Sequence, residues 1–246
     1  MKSLVKLTSN ELRLFWREPA TVFFALAFPT LLLVILGSIK GFRDPNPMLG
    51  GHRAIDLYVP IMIAFALGML SLQAMPAALA TYREKRILRR LAVTPVGATR
   101  VVQAQMLMSL ALTLGAVVAL IAVGRIAYDV ALPGNLLAFA LALVLEATAL
   151  IAIGVALAAI LPTGRAANAV GTLTFFPLMF FAGLWIPRAA MPELARSISD
   201  YTPLGAGVQA LQDASSGAWP HLSNLGVLAA YVVLFATIAA TRFRWE

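Results

Sequence analysis

The chain contains no cysteine, two histidines and eleven acidic residues among 246, and each shortage removes a class of function. Without cysteine there is neither a disulfide nor a thiolate nucleophile, and redox usage says nothing about compartment. His52 and His221 stand far apart in expected loops, so they make no metal pair. No G-x-x-x-x-G-K-[ST] phosphate loop occurs, nor even one Gly-Lys dipeptide, so ATP has no binding site of the usual kind. H-E-x-x-H, G-x-S-x-G and Ser/His or Asp/Asp arrangements are also missing, which argues against an intramembrane enzyme.

What the chain has instead is apolar length. It is 61% hydrophobic, against about 45–50% for soluble domains, and its mean hydropathy is +0.86. This composition predicts an all-α integral membrane protein, one domain over residues 1–246. Six runs approach the roughly 20 residues needed to cross a bilayer: residues 20–39, 57–80, 101–123, 135–161, 168–187 and 223–241. The first is expected to be retained as a span, because Lys2, Lys6, Arg13 and Arg17 are scattered before it and no small-residue cleavage pattern follows.

Basic residues set the expected orientation. With both termini cytoplasmic, that face carries Lys2, Lys6, Arg13, Arg17, Arg83, Lys85, Arg86, Arg89, Arg90, Arg100, Arg165, Arg242 and Arg244. The other face keeps Lys40, Arg43, Arg53, Arg125, Arg188 and Arg196. Thirteen against six satisfies the positive-inside rule. The net charge of +8 does not point to nucleic acid, since the basic residues flank spans and form no recognition module.

The N-terminal segment has a helical period. Lys6, Asn10, Arg13 and Arg17 recur at i, i+4, i+7 and i+11 with leucines filling the rest of the wheel. It is expected to lie in the membrane interface, with Trp16 at headgroup depth and Glu18-Pro19 turning into the first span. A plain topogenic anchor is the alternative.

Residues 82–96 pack six charges between two apolar stretches. Such density cannot lie in lipid, where each Lys or Arg costs about 2.5–3.5 kcal/mol. On a helix over residues 82–93, Ile87, Leu88, Leu91 and Ala92 share an apolar stripe while Arg83, Lys85, Arg86, Arg89 and Arg90 point elsewhere. Thr94-Pro95 ends that helix. Either it is a topology signal alone or a surface on which a partner docks.

Two further features carry chemistry. Glu146 is the lone acid inside a span, so it faces a helix partner, a wet cavity or a seam between copies, or is protonated. Hydrogen bonding to Gln73, Gln103, Gln105 or Thr113 would make it structural. Residues 188–222 are long for a turn, with helical composition at 191–198 and 206–211, and Trp185, Tyr201 and Trp219 suit the interface. Phe175, Phe176, Phe180 and Phe181 either line a pathway or face lipid.

Three places resemble the permease subunits of type-2 ABC exporters, a class that includes daunorubicin-resistance-like drug exporters and polysaccharide exporters. They are Glu11-Leu12-Arg13-Leu14-Phe15-Trp16-Arg17-Glu18-Pro19 running into Phe28-Pro29 and Gly37; Arg83-Glu84-Lys85 with Leu88, Arg90-Leu91 and Thr94-Pro95-Val96; and Phe181-Ala182-Gly183-Leu184-Trp185-Ile186-Pro187 with Met191-Pro192 and Tyr201-Thr202-Pro203-Leu204. Arg86 departs from the pattern, where the family often has glycine.

The resemblance implies a bacterial cell-membrane permease that pairs with a second permease copy and with two cytoplasmic ATPase subunits. ATP and Mg would then sit on those subunits, this chain binding no cofactor. The charged run, with Arg83, Glu84, Lys85, Arg86, Leu88, Arg89, Arg90, Leu91, Thr94 and Pro95, would be the coupling helix, and short external helices would precede the last span. The implied cargo is a hydrophobic or amphiphilic small molecule. A lipid-linked glycan or lipid is the alternative, and a stand-alone secondary transporter is disfavoured by the absence of an inverted repeat.

Overall fold

The computed structural model describes residues 2–92 and 97–242. Among them the only β pairing is an isolated bridge between Pro45 and Arg53; the rest is helix and connection. Helix α1 (Lys2–Phe15) is followed by α2 (Pro19–Ser38), α3 (Ala54–Glu84), α4 (Ile87–Ala92), α5 (Thr99–Tyr128) and α6 (Leu136–Ile160). Then come α7 (Gly164–Phe181), α8 (Glu193–Asp200), α9 (Pro203–Ser215) and α10 (Leu222–Arg242).

Five helices, α2, α3, α5, α6 and α10, are long and apolar enough to cross a membrane. They fall within a few residues of the expected runs. Helix α7 is not among them. It has 18 residues, and Arg165 and Asn168 occupy its first turns. It also ends at Phe181 rather than near 187, because Gly183 adopts φ +94 and turns the chain away.

Helix α3 is the spine. Of its most apolar stretch 83% is buried, against 22% for α2 and 17% for α10, so α2 and α10 leave most of their apolar surface uncovered. Both α2 and α3 contain a π-helical turn, Phe23–Ala27 and Met69–Ala74, and each is followed within two residues by a proline, Pro29 or Pro76. Proline has no N–H and its ring crowds the carbonyl four residues back; a π turn widens the helix to accommodate it.

Behind Pro76 the carbonyls of Ser71 and Leu72 are approached by Gly154 of α6 and Gly171 of α7, where an added Cβ would collide with them. Phe175 fills the centre, edge-on to Phe65 at 5.1 Å and against Gly68. The helix expected at 206–211 is longer, and it is a core element, with Leu204, Ala206, Val208, Ala210 and Leu211 buried.

Candidate functional site

The charged run does not form one helix over 82–93. Helix α3 continues to Glu84, Lys85 caps it, and Arg86 takes φ +55 before α4 begins. A left-handed residue is how helices commonly stop, and glycine adopts it without the Cβ clash that arginine suffers. The one departure from the resembled pattern thus falls on a residue whose backbone favours glycine.

Arg83 and Glu84 reach the ends of α6 and α7. The Arg83 guanidinium donates to the carbonyls of Ala159, at 2.9 Å, and Leu161. These lie at the C-terminal end of α6, where carbonyls lack intrahelical donors and a cation is favoured. Glu84 accepts from the Gly164 N–H at 3.1 Å, at the start of α7. Leu88 is fully buried against Ala98 and Val101, with Tyr82 and Leu91 beside it.

Lys85, Arg86, Arg89 and Arg90 remain exposed, and none forms an ion pair among the described residues. Thr94 and Pro95 lie outside the described residues. The result is a four-cation surface, two on the turn before α4 and two on α4 itself, fixed to α3 and α5 beside the junction that ties α3 to α6 and α7.

Helix α1 packs beside this corner. Its inward stripe centres on Glu11 and Phe15, both buried; Lys6, Arg13, Trp16 and Arg17 face outward. Glu11 Oε2 accepts from the Tyr82 hydroxyl at 2.7 Å and from Gln105 Nε2 at 2.6 Å, so one carboxyl joins α1 to α3 and α5. Arg100 also donates to Ser3 Oγ at 3.0 Å. Glu11 was not singled out from the sequence, yet the signal was there: it shares a helical face with Leu4, Leu7 and Phe15.

Burial pushes the Glu11 carboxyl above the ordinary carboxylate range, and the two donated hydrogen bonds pull against that shift. The folded chain therefore holds this proton more tightly than the unfolded chain. Its contribution to stability is full below the unfolded value and declines as pH rises through the window up to the raised folded value. Thermal midpoints measured from about pH 4 to about pH 8 are expected to show that decline, and Glu11→Gln is expected to flatten it while still accepting from Tyr82.

Inside the bundle, Glu146 is fully buried and neither carboxyl oxygen has a hydrogen-bond partner among the described residues. The four anticipated partners are not used. Gln73 accepts from Thr172 at 3.3 Å, Gln105 serves Glu11, Gln103 is exposed, and the buried Thr113 hydroxyl has no partner among the described residues. Glu146 instead rests on Gly207 of α9, where any side chain would strike its carboxyl carbon.

Between α2, α3 and α7 lies an open groove of about 490 Å³. Phe24, Phe28, Phe65, Phe175, Phe176 and Trp185 dominate it, with Gln73 as a polar point. Phe175 and Phe176 therefore share this groove, whereas Phe181 lines a different cavity.

A family model described as ABC-2 type transporter matches residues 2–215, a span that takes in every helix but α10. No curated protein matches the chain.

Proposed function

We propose a function for a chain that belongs to the ABC-2 type transporter family: it is the permease subunit of an exporter, dimeric, and driven by two separate cytoplasmic ATPase subunits. The chain is a multi-pass membrane permease without an ATP-binding motif of its own. In this reading α7 with residues 182–187 completes a sixth span, α1 lies in the inner interface, α4 is the coupling helix, and α8 and α9 stand at the outer end. The membrane is that of a bacterial cell, with both termini cytoplasmic.

The carrying observation is the seat of α4. Four exposed cations, Lys85 and Arg86 in the turn before α4 and Arg89 and Arg90 on it, form no ion pair among the described residues, and α4 is anchored by Leu88 next to a corner where Arg83 and Glu84 hold the ends of α6 and α7. A push on α4 reaches α3, α5, α6 and α7 together. ATP and Mg belong to the partner ATPases, which present the acidic or polar complement.

The exposed face of α2 and the adjoining aromatic groove support a seam with a second copy, and the apolar lining supports a hydrophobic or amphiphilic cargo in the manner of drug exporters. The test is charge reversal. Arg89→Glu with Arg90→Glu is expected to leave the spans inserted while cutting transport, and ATPase stimulation with it, by about tenfold or more. Normal transport by the inserted variant would reduce this surface to a topology signal.

A further inference from the structure

At the end of the bundle away from α1, the chain after α7 folds back over α3 and α9 and partly covers an open cavity of about 410 Å³. Its floor is fixed and apolar: Ile61 and Val208 are 2% and 3% exposed, with Phe181 beside them. Its rim carries two arginines, and they differ. Arg188 is committed, through a 2.6 Å ion pair with Asp200 and a bond to the Arg196 carbonyl. Arg196 forms no ion pair among the described residues; its Nη2 donates to the carbonyls of Ala189 and Met191, each at 3.2 Å, and its Nε and Nη1 have no partner there.

A cationic rim over an apolar floor is a chamber for a molecule with matching ends. Sites of about 300–1,000 Å³ that combine apolar walls with a few placed polar groups are typical of small-molecule binding. An anion reaching Arg196 gains charge-assisted hydrogen bonds, while the nearby Asp200 carboxylate is engaged by Arg188 and Gln209. The adjoining cavity of about 320 Å³ shares Leu57 and Gln212 as a wall but is lined by Asp56 and Asp213 and by no arginine.

We propose that the arginine-rimmed cavity binds a small amphiphile with a single anionic group, its head on Arg196 and its apolar body among Ile61, Phe181 and Val208. The site is separate from the coupling surface and from the aromatic groove; a bilayer ligand there is independent of the exporter reading, and a cargo there rests on it. A fatty acid from the bilayer and an exported amphiphile offer the same chemistry.

The test uses the purified full chain and a photoreactive decanoic acid as probe. Labelling is expected on residues lining this cavity, with decanoate competing about tenfold better than decanol, the value of one charged hydrogen bond. Arg196→Gln is expected to erase that preference, and Arg196→Lys to retain most of it. Val208→Trp, which fills the chamber, is expected to block labelling.

Equal competition by the acid and the alcohol would overturn the proposal, as would labelling indifferent to Arg196→Gln. If Val208→Trp does not fold, the Arg196 pair decides alone. Native mass spectrometry separates the sources: a fatty acid carried through extraction identifies a bilayer ligand, while a chain that arrives empty and then takes up decanoate identifies a cargo site.

Discussion

Gly171→Val and Gly154→Val are each expected to leave little folded protein, because the added side chain meets main chain and not a movable neighbour. An ideal Cβ at 171 collides with the Leu72 carbonyl, and one at 154 with that of Ser71. Both carbonyls lie on the π-helical turn of α3 that precedes Pro76, four and five residues before it. Pro76 can donate to neither.

The glycines thus bring α6 and α7 close to a spine whose local hydrogen-bond ladder is already interrupted, and close small-residue contacts are a main device for packing helices in lipid. Overpacking a buried contact costs about 1–3 kcal/mol and more where backbone must move, a large part of the roughly 5–15 kcal/mol that holds a domain together. Gly115 and Gly226 give the control. A Cβ there meets nothing within 4 Å, so alanine is expected to leave the melting midpoint of the purified protein unchanged or raise it through helix propensity. Comparable losses at all four glycines would mean that the α3 contacts carry no special weight.

The physics that made the helices legible in the sequence is coarse, and its failures are local. Twenty-residue apolar runs fixed α2, α3, α5, α6 and α10 because a bilayer requires that length. The same rule carried the expected span past Phe181 because Leu184, Trp185 and Ile186 are apolar too; it could not register Gly183 at φ +94. Charge density identified the corner after α3 but not the fate of its charges. Arg83 and Glu84 find their partners 76 and 80 residues away, a distance that no periodicity spans.

Glu11 was readable from the wheel of α1, since an acid on the inward stripe of a helix must find donors. Gln105 and Tyr82 were not readable as those donors. Helix α9 was legible as a helix but not as a core element: composition marked residues 206–211 as helical, whereas it runs Pro203–Ser215 and Gly205, Ala206 and Gly207 are small where it packs closely.

Glu146→Leu is expected to yield a more stable protein that no longer transports. Its two carboxyl oxygens are buried without a hydrogen-bond partner among the described residues, and each such group costs about 1–3 kcal/mol. Removing both while keeping most of the side-chain volume against Gly207 is expected to raise the melting midpoint by several degrees, at about 2–4 °C per kcal/mol for a chain of this size. A buried acid with no stabilising contact is retained either because its site opens during the working cycle or because a group from outside the chain reaches it. Leucine serves neither purpose.

Glu146→Gln separates the two halves of the effect, since it keeps the shape and a polar head but gives up the carboxyl. It is expected to melt near the parent protein and to transport poorly. Should Glu146→Leu melt lower than the parent, Glu146 has a structural partner in the assembled protein and its role is packing. Should it melt higher and transport normally, the carboxyl is dispensable, and α9 packs on α6 through the small residues around Gly207 alone.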